Sequence, residues 1–232
     1  MSIALKILTS NSTRTILDAL IPAYEKNTGN TITVTGDSAK AMVARIKAGE
    51  TGDVVILGSA AVQELAAAGI VTATSRRPFA RARVGVGVRR GAAKPDISSV
   101  EALRESLLAA KSIAHTIHGA SGMYIPALLE KLGIAEQMRT RTVTRPGGYI
   151  GTVVVAGEAE IALQQIPELL AVDGLELVGP VPAAVQKIFE TATGLVSASK
   201  NTVAAQAMLD YFATPAHAGL FASKGLEQVA QP

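Results

Sequence analysis

Apolar residues recur along this chain in two rhythms. Short runs rich in β-branched residues, Leu5–Leu8, Thr31–Thr35 and Asp53–Leu57, read as strands. Between them the spacing lengthens to that of a helix. Thr13–Glu25 places Ile16, Leu17, Leu20 and Tyr24 on one face. Ala39–Ala48 and Ala60–Ala68 are helical segments stopped by Gly49 and Gly69. Three strand–helix units up to Gly69 predict a parallel sheet covered by helices.

A second series follows. Val84–Val88, Ser112–Thr116, Arg141–Thr144 and Glu160–Leu163 read as strands. A helix is predicted to open across Pro95–Ser99, with Ser98 and Glu101 at capping-box spacing. Further helices are expected over Gly122–Leu132, stopped by Gly133, and over Tyr149–Ala156. Ile188–Ser197 reads as a strand returning to the first half, followed by an amphipathic helix, Asn201–Ala213. Thr214 and Pro215 form an N-cap and first-turn pair for a last helix that Gly225 ends. The order predicts an α/β chain of two lobes. Residues 1–82 with 190–232 make the first, and 83–189 form a second inserted into it, with two chain crossings.

Composition narrows the chemistry. The 232 residues are 48% hydrophobic and 18% charged, enough for a substantial core. No run approaches the ~20 apolar residues of a membrane helix. Cysteine is absent, which excludes disulfides, thiolate metal sites and a cysteine nucleophile. The three histidines, His115, His118 and His217, show no metal-ligand spacing and no triad arrangement. No metal or cofactor is therefore expected. Nucleic-acid binding is disfavoured by the lack of Trp and an aromatic content of 3%. The run "VGVGVRRG" lacks the spacing of a nucleotide loop.

What remains is a set of small hydroxyl and glycine residues at predicted strand-to-helix turns. They are Ser10, Asn11 and Ser12; Ser38 after Gly36 and Asp37; Gly119, Ser121 and Gly122; and Gly147 with Gly148. Helix starts offer free N–H groups and a positive dipole end, and Ser adds a hydroxyl donor. Converging on one cleft, they would receive a small anion. Each also has a plain structural reading, as a cap or a tight turn. Gln164 and Gln165 end a predicted strand, so one should turn inward and the other outward. His118, three residues before Ser121, is the candidate general acid or base, with Asp37 the weaker choice. His115 reads as a core or sheet residue, and Tyr149 as packing. Six arginines, Arg76, Arg77, Arg81, Arg83, Arg89 and Arg90, crowd the expected crossing. They read as a solvated rim or as a steering field for an anion.

Several blocks, "LTSNS" from Leu8, "AGETGDVVIL" from Ala48, "SGMYIPALLEKLGI" from Ser121, "GEAEIALQQIPEL" from Gly157 and "ATPAHAGLFASKG" from Ala213, resemble bacterial periplasmic molybdate-binding-type solute receptors. The resemblance runs in order along nearly the whole chain. It implies the class II periplasmic-binding-protein fold, two α/β lobes joined by a two-strand hinge, with an anion held between them. It implies ligand contacts from Ser10 to Ser12, Ser38, Ser121 and the Gly147–Gly148 amides. Those receptors place a Tyr where this chain has Gln165, so Gln165 is expected to face the ligand and to favour a carboxylate over molybdate. The chain is more similar to a divergent subgroup, one that also resembles enzymes of the aconitate isomerase type. The implied partners are a small anionic ligand and the membrane subunits of an ABC importer, with the protein itself a monomer. The implied location is the periplasm, with an export signal encoded upstream of Met1; a cytoplasmic protein is the alternative.

Overall fold

The computed structural model of the chain describes residues 2–230. The chain divides into two compact units, residues 1–81 with 190–232, and residues 82–189.

In the first unit β1 (Ala4–Ser10) lies between β2 (Thr31–Asp37) and β3 (Val54–Gly58), parallel to both. β3 pairs antiparallel with β9 (Ile188–Leu195). The helices α1 (Asn11–Thr28), α2 (Ala39–Lys47) and α3 (Ser59–Ala67) follow the three parallel strands, as the alternating pattern predicts. α1 buries Ile16, Leu17, Leu20 and Tyr24 and ends at Gly29, whose φ of 72° lets its N–H reach back to Glu25. One face of the sheet packs Leu8, Val55 and Leu57 against Met42, Ile46, Val62 and Leu65. The chain then returns through α9 (Thr202–Phe212), α10 (Ala218–Ser223) and the short strand β10 (Leu226–Gln228). Thr214 and Pro215 open a separate 3-10 turn over Pro215–His217 rather than the last helix itself, and the Thr214 side chain makes no cap bond.

β4 (Arg77–Arg89) carries the chain into the second unit and β9 carries it back. The strand is far longer than Val84–Val88, because its arginines hide the alternation. Ala80, Ala82, Val84, Val86 and Val88 are buried along one side. Gly85 and Gly87 occupy the other. A Cβ there would sit 2.7 Å from Ile166 Cγ1 or 2.9 Å from Leu175 Cδ2. The glycines of "VGVGVRRG" thus admit close side-chain packing.

The second unit's strand order is β8 (Leu175–Pro180), β4, β7 (Ile161–Gln165), β5 (Ile113–Thr116) and β6 (Thr142–Arg145). β5, β6 and β7 are parallel, while β4 runs antiparallel to β7 and β8. Both faces are covered. Ile113, Ile161 and Leu163 pack with α4 (Val100–Ala109), α5 (Ile125–Lys131) and α6 (Ala135–Met138). Ala114 and Ala162 turn toward α7 (Gly151–Val155) and α8 (Ile166–Leu170). Two expectations are corrected. α4 is capped by Ser99, whose hydroxyl accepts from Ala102 N at 3.0 Å, and Ser98 lies outside it. α5 begins at Ile125, not Gly122; residues 120–124 are a run of turns, with Met123 N bonded to Gly119 O.

Candidate functional site

In both units the residues singled out by sequence collect at the carboxyl ends of parallel strands, where open α/β sheets bind ligands. In the first unit Ser10 ends β1 and is the N-cap residue of α1. Its hydroxyl lies 3.2 Å from that of Ser12, and both side chains are buried. Beneath them Thr9 Oγ1 donates to Ile56 O at 2.9 Å and meets Thr13 Oγ1. Asn11 is half-buried, with its Oδ1 beside Gly36 on β2. Ser38 caps α2, accepting from Ala41 N at 3.4 Å. Asp37 accepts from Ser38 N at 2.7 Å and pairs with Arg45 at 3.1 Å. These bonds engage Asp37 in shaping the turn.

The second unit differs. Thr116 ends β5, and the chain folds back on it at once. A Cβ on Gly122 would lie 1.9 Å from the Thr116 carbonyl oxygen, and one on Gly119 would lie 2.5 Å from Thr116 Oγ1. Only glycine permits this closeness. The fold-back buries Ser121 completely (0% exposed) and Thr116 nearly so (1%), yet neither hydroxyl has a hydrogen-bond partner. On the adjacent parallel strand β7, Gln165 is 3% exposed and its Oε1 is likewise unpartnered. Buried polar atoms without partners are rare and each lost bond costs roughly 1–3 kcal/mol.

Both glutamines are buried, so the inward–outward split expected of the strand end is corrected. The reason is cover on both sides of the strand end. Gln164 Oε1 accepts from Ile150 N and its Nε2 donates to Gly148 O, each at 2.8 Å, which ties the 147–150 loop to β7. Gln165 instead turns to α8, where its Nε2 donates to Glu168 Oε2 at 3.3 Å. Glu168 is itself buried, and the loss of solvent pushes its carboxyl up to about 8. Gly147 is half-buried and Gly148 exposed, with φ 83°, and α7 starts three residues later at Gly151. These two glycines form a turn tied to β7 and are not themselves a helix start.

His118 is half-buried beside the fold-back, its backbone N–H bonded to Pro146 O at 2.9 Å. His115 is buried in β5, where its Nδ1 lies 2.8 Å from Thr116 O and burial lowers its pKa. Tyr149 packs against the Ile150–Val153 cluster. The arginine run is partly spent on local contacts. Arg81 bridges Glu190 and Glu227, and Arg77 bonds the carbonyls of Thr74 and Arg76, while Arg83 is exposed. Among the described residues no cluster of three His, Asp or Glu could hold a metal. A cavity of about 550 Å³, lined by Val88, Arg89, Lys94, Pro95, Val154 and Ile161 among others, lies at the opposite end of the second unit's sheet from Gln165. Thr116 and Glu168 were not singled out in the sequence. A hydroxyl closing a strand and an acid three residues after a strand's end are the only signals that could have marked them.

Two α/β units, each with its polar residues at the strand ends, define the type 2 periplasmic-binding-protein fold. The periplasmic molybdate-binding protein of Azotobacter vinelandii superposes over 96% of this chain and 98% of its own, with TM-score 0.83 and 16% identity. The sulfate-binding protein of Mycobacterium tuberculosis H37Rv covers 98% of this chain and 87% of its own, with TM-score 0.77 and 18% identity. The chain belongs to the bacterial extracellular solute-binding proteins, whose family model matches residues 5–227. It is also 34% identical over 235 residues to the aconitate isomerase of a Pseudomonas species, across 98% of this chain and 89% of that protein.

Proposed function

We propose that the protein binds a small organic polycarboxylate, as the solute receptor of an ABC importer in the periplasm. The proposed ligand contacts are Ser10, Asn11, Ser12 and Ser38 in the first unit, and Ser121, Gln165 and the amides of Gly119, Gly122, Gly147 and Gly148 in the second. The carrying observation is the trio of buried, unpartnered atoms Thr116 Oγ1, Ser121 Oγ and Gln165 Oε1. Two hydroxyls can donate to an anion, while an amide oxygen can only accept. A site that offers an acceptor suits a ligand with its own hydroxyl or protonated carboxyl. A fully ionised tetrahedral oxyanion gains nothing from it. The sequence kinship points the same way, since the relative at 34% identity is named for a tricarboxylate. Calorimetric titration with trans-aconitate, citrate, molybdate and sulfate tests this. Binding of a carboxylate with no binding of molybdate is expected; tight molybdate binding with no carboxylate binding contradicts it.

That same relative favours a second reading, an isomerase without metal or cofactor. Shifting the double bond of aconitate takes a proton from the methylene carbon and returns one to the former vinyl carbon, with no net oxidation. N–H and O–H donors would stabilise the enolate-like charge in between, and His118 would carry the proton. Incubation with trans-aconitate in deuterated water, followed by NMR, separates the readings. Deuterium uptake at turnover rates makes the protein an enzyme, and His118→Ala should then lose rate far more than affinity. Binding without exchange leaves a receptor.

A further inference from the structure

The Gln165 side chain is held from one side only. Its Nε2 donates to Glu168 Oε2 at 3.3 Å, while its Oε1, buried, has no partner. Glu168 occupies the third position of α8, of which Gln165 is the N-cap residue. The Gln165 backbone N–H and the Gln164 side chain lie close enough to offset part of the effect of burial on the carboxyl. This is the position at which a capping box carries its acidic residue. Here the acid accepts from the cap residue's side-chain amide.

An amide whose nitrogen is held by an acceptor cannot flip without losing that bond. Its oxygen is therefore fixed away from Glu168, buried and unpartnered at the end of β7, next to the strand that Thr116 ends. We propose that Glu168 is a positioning residue that locks the Gln165 amide with its oxygen toward the ligand, and so selects organic acids over tetrahedral oxyanions. The selectivity rests on the organic-acid reading above; the lock itself does not.

The carboxyl that does this is isolated from other charges. β7 carries no charged residue. The only one on β8, which packs against α8, is Glu176, paired with Lys94 at 2.6 Å. Arg83 lies on the same side of β4 as Gly85, against which Ile166 packs, but it is exposed and does not contribute to the Glu168 shift. Desolvation is the largest influence on Glu168, and it favours the neutral acid. Ionised, or neutral through its carbonyl oxygen, Glu168 accepts the Gln165 N–H. Glu168→Gln keeps that acceptor, whereas Glu168→Leu removes it at similar volume.

Two measurements on the full chain test the proposal. The first needs no ligand. The Gln165 side-chain amide signals, assigned by their loss in Gln165→Ala, are followed by 15N NMR in wild type, Glu168→Gln and Glu168→Leu. A pH-dependent shift in wild type, absent from both variants, supports the lock; an amide indifferent to residue 168 overturns it. The second is a double-mutant cycle read by calorimetry with citrate, whose hydroxyl can donate to the Gln165 oxygen, and molybdate. Glu168→Leu should weaken citrate about tenfold, and Glu168→Gln by no more than about threefold. In a Gln165→Ala background Glu168→Leu should have no further effect. An undiminished effect there makes Glu168 merely structural and overturns the proposal. A wild type that binds neither probe overturns the organic-acid reading and its selectivity, while the NMR result still decides the lock.

Discussion

The hydroxyls of the first unit and those of the second sit at equivalent places, the carboxyl ends of parallel strands, yet they are in opposite states. Ser10 bonds Ser12, Thr9 bonds Ile56 and meets Thr13, and Ser38 caps α2. Thr116 and Ser121 are as deeply buried and bond nothing. The first set is satisfied by its own chain and contributes to the stability of the empty protein. The second set costs stability until something else supplies partners. Both sets are proposed ligand contacts, but only the second lacks partners of its own; lack of a partner alone does not mark a site, since Thr15 Oγ1 in α1 and His217 Nδ1 are also buried and unpartnered.

Substitutions can break this comparison, and the largest effect is expected at the hinge of the fold-back. Gly122→Ala would drive a Cβ into the Thr116 carbonyl at 1.9 Å, which no side-chain rotation relieves. A loss of about 3 kcal/mol or more is expected in denaturant melts. Gly148, exposed with open space around its Cβ position, should lose only about 1 kcal/mol on the same change, for its φ of 83°.

Glu168 gives the second-largest effect, through pH. Its carboxyl is raised to about 8 from 4.5 by burial. The native state therefore keeps a proton that the unfolded chain has released. This contribution is complete below pH 4.5 and is lost as the pH rises through about 8, a change of at most a few kcal/mol. His115 acts on the acid side. Burial lowers its pKa from 6.5, so its contribution is present above pH 6.5 and is lost as the pH falls through the lowered value. Melts at about pH 5, 7 and 9 should show the alkaline decline in wild type and lose it in Glu168→Gln. An unchanged decline would assign it to other groups.

A smaller effect is expected in the satisfied set. Ser38→Ala removes the bond to Ala41 N and should cost about 1 kcal/mol of stability with or without ligand. If the loss appears only when ligand is present, the contrast between the units fails.

Most of the fold was legible because periodicity is strong in elements of ordinary length. α1, α2, α3, α9 and the strands β1, β2, β3 and β5 sit within a few residues of their sequence readings. The elements not read are those too short for a period to show. They are α6 with Ala135–Met138, α8 with Ile166–Leu170, and β10 with Leu226–Gln228. β8 was hidden by the Gly and Pro that end it. The candidate site was legible where hydroxyls and glycines cluster in one loop. It was not legible at Thr116, a single hydroxyl at the end of an apolar strand buried by a fold-back that no local pattern encodes, or at Glu168, which lies in a helix too short to show a period. The same fold-back explains why the helix expected from Gly122 starts only at Ile125.

Ser121 tests the contrast most directly, because removing its hydroxyl should move two quantities in opposite directions. Ser121→Ala deletes a buried atom that has no partner in the empty protein. The thermal midpoint without ligand should stay level or rise, while affinity for trans-aconitate falls by about 1–3 kcal/mol, read by calorimetry on the same preparation. An affinity equal to wild type, together with a lowered midpoint, would make Ser121 an ordinary structural residue and contradict the assignment of the second unit's unpartnered groups to a ligand.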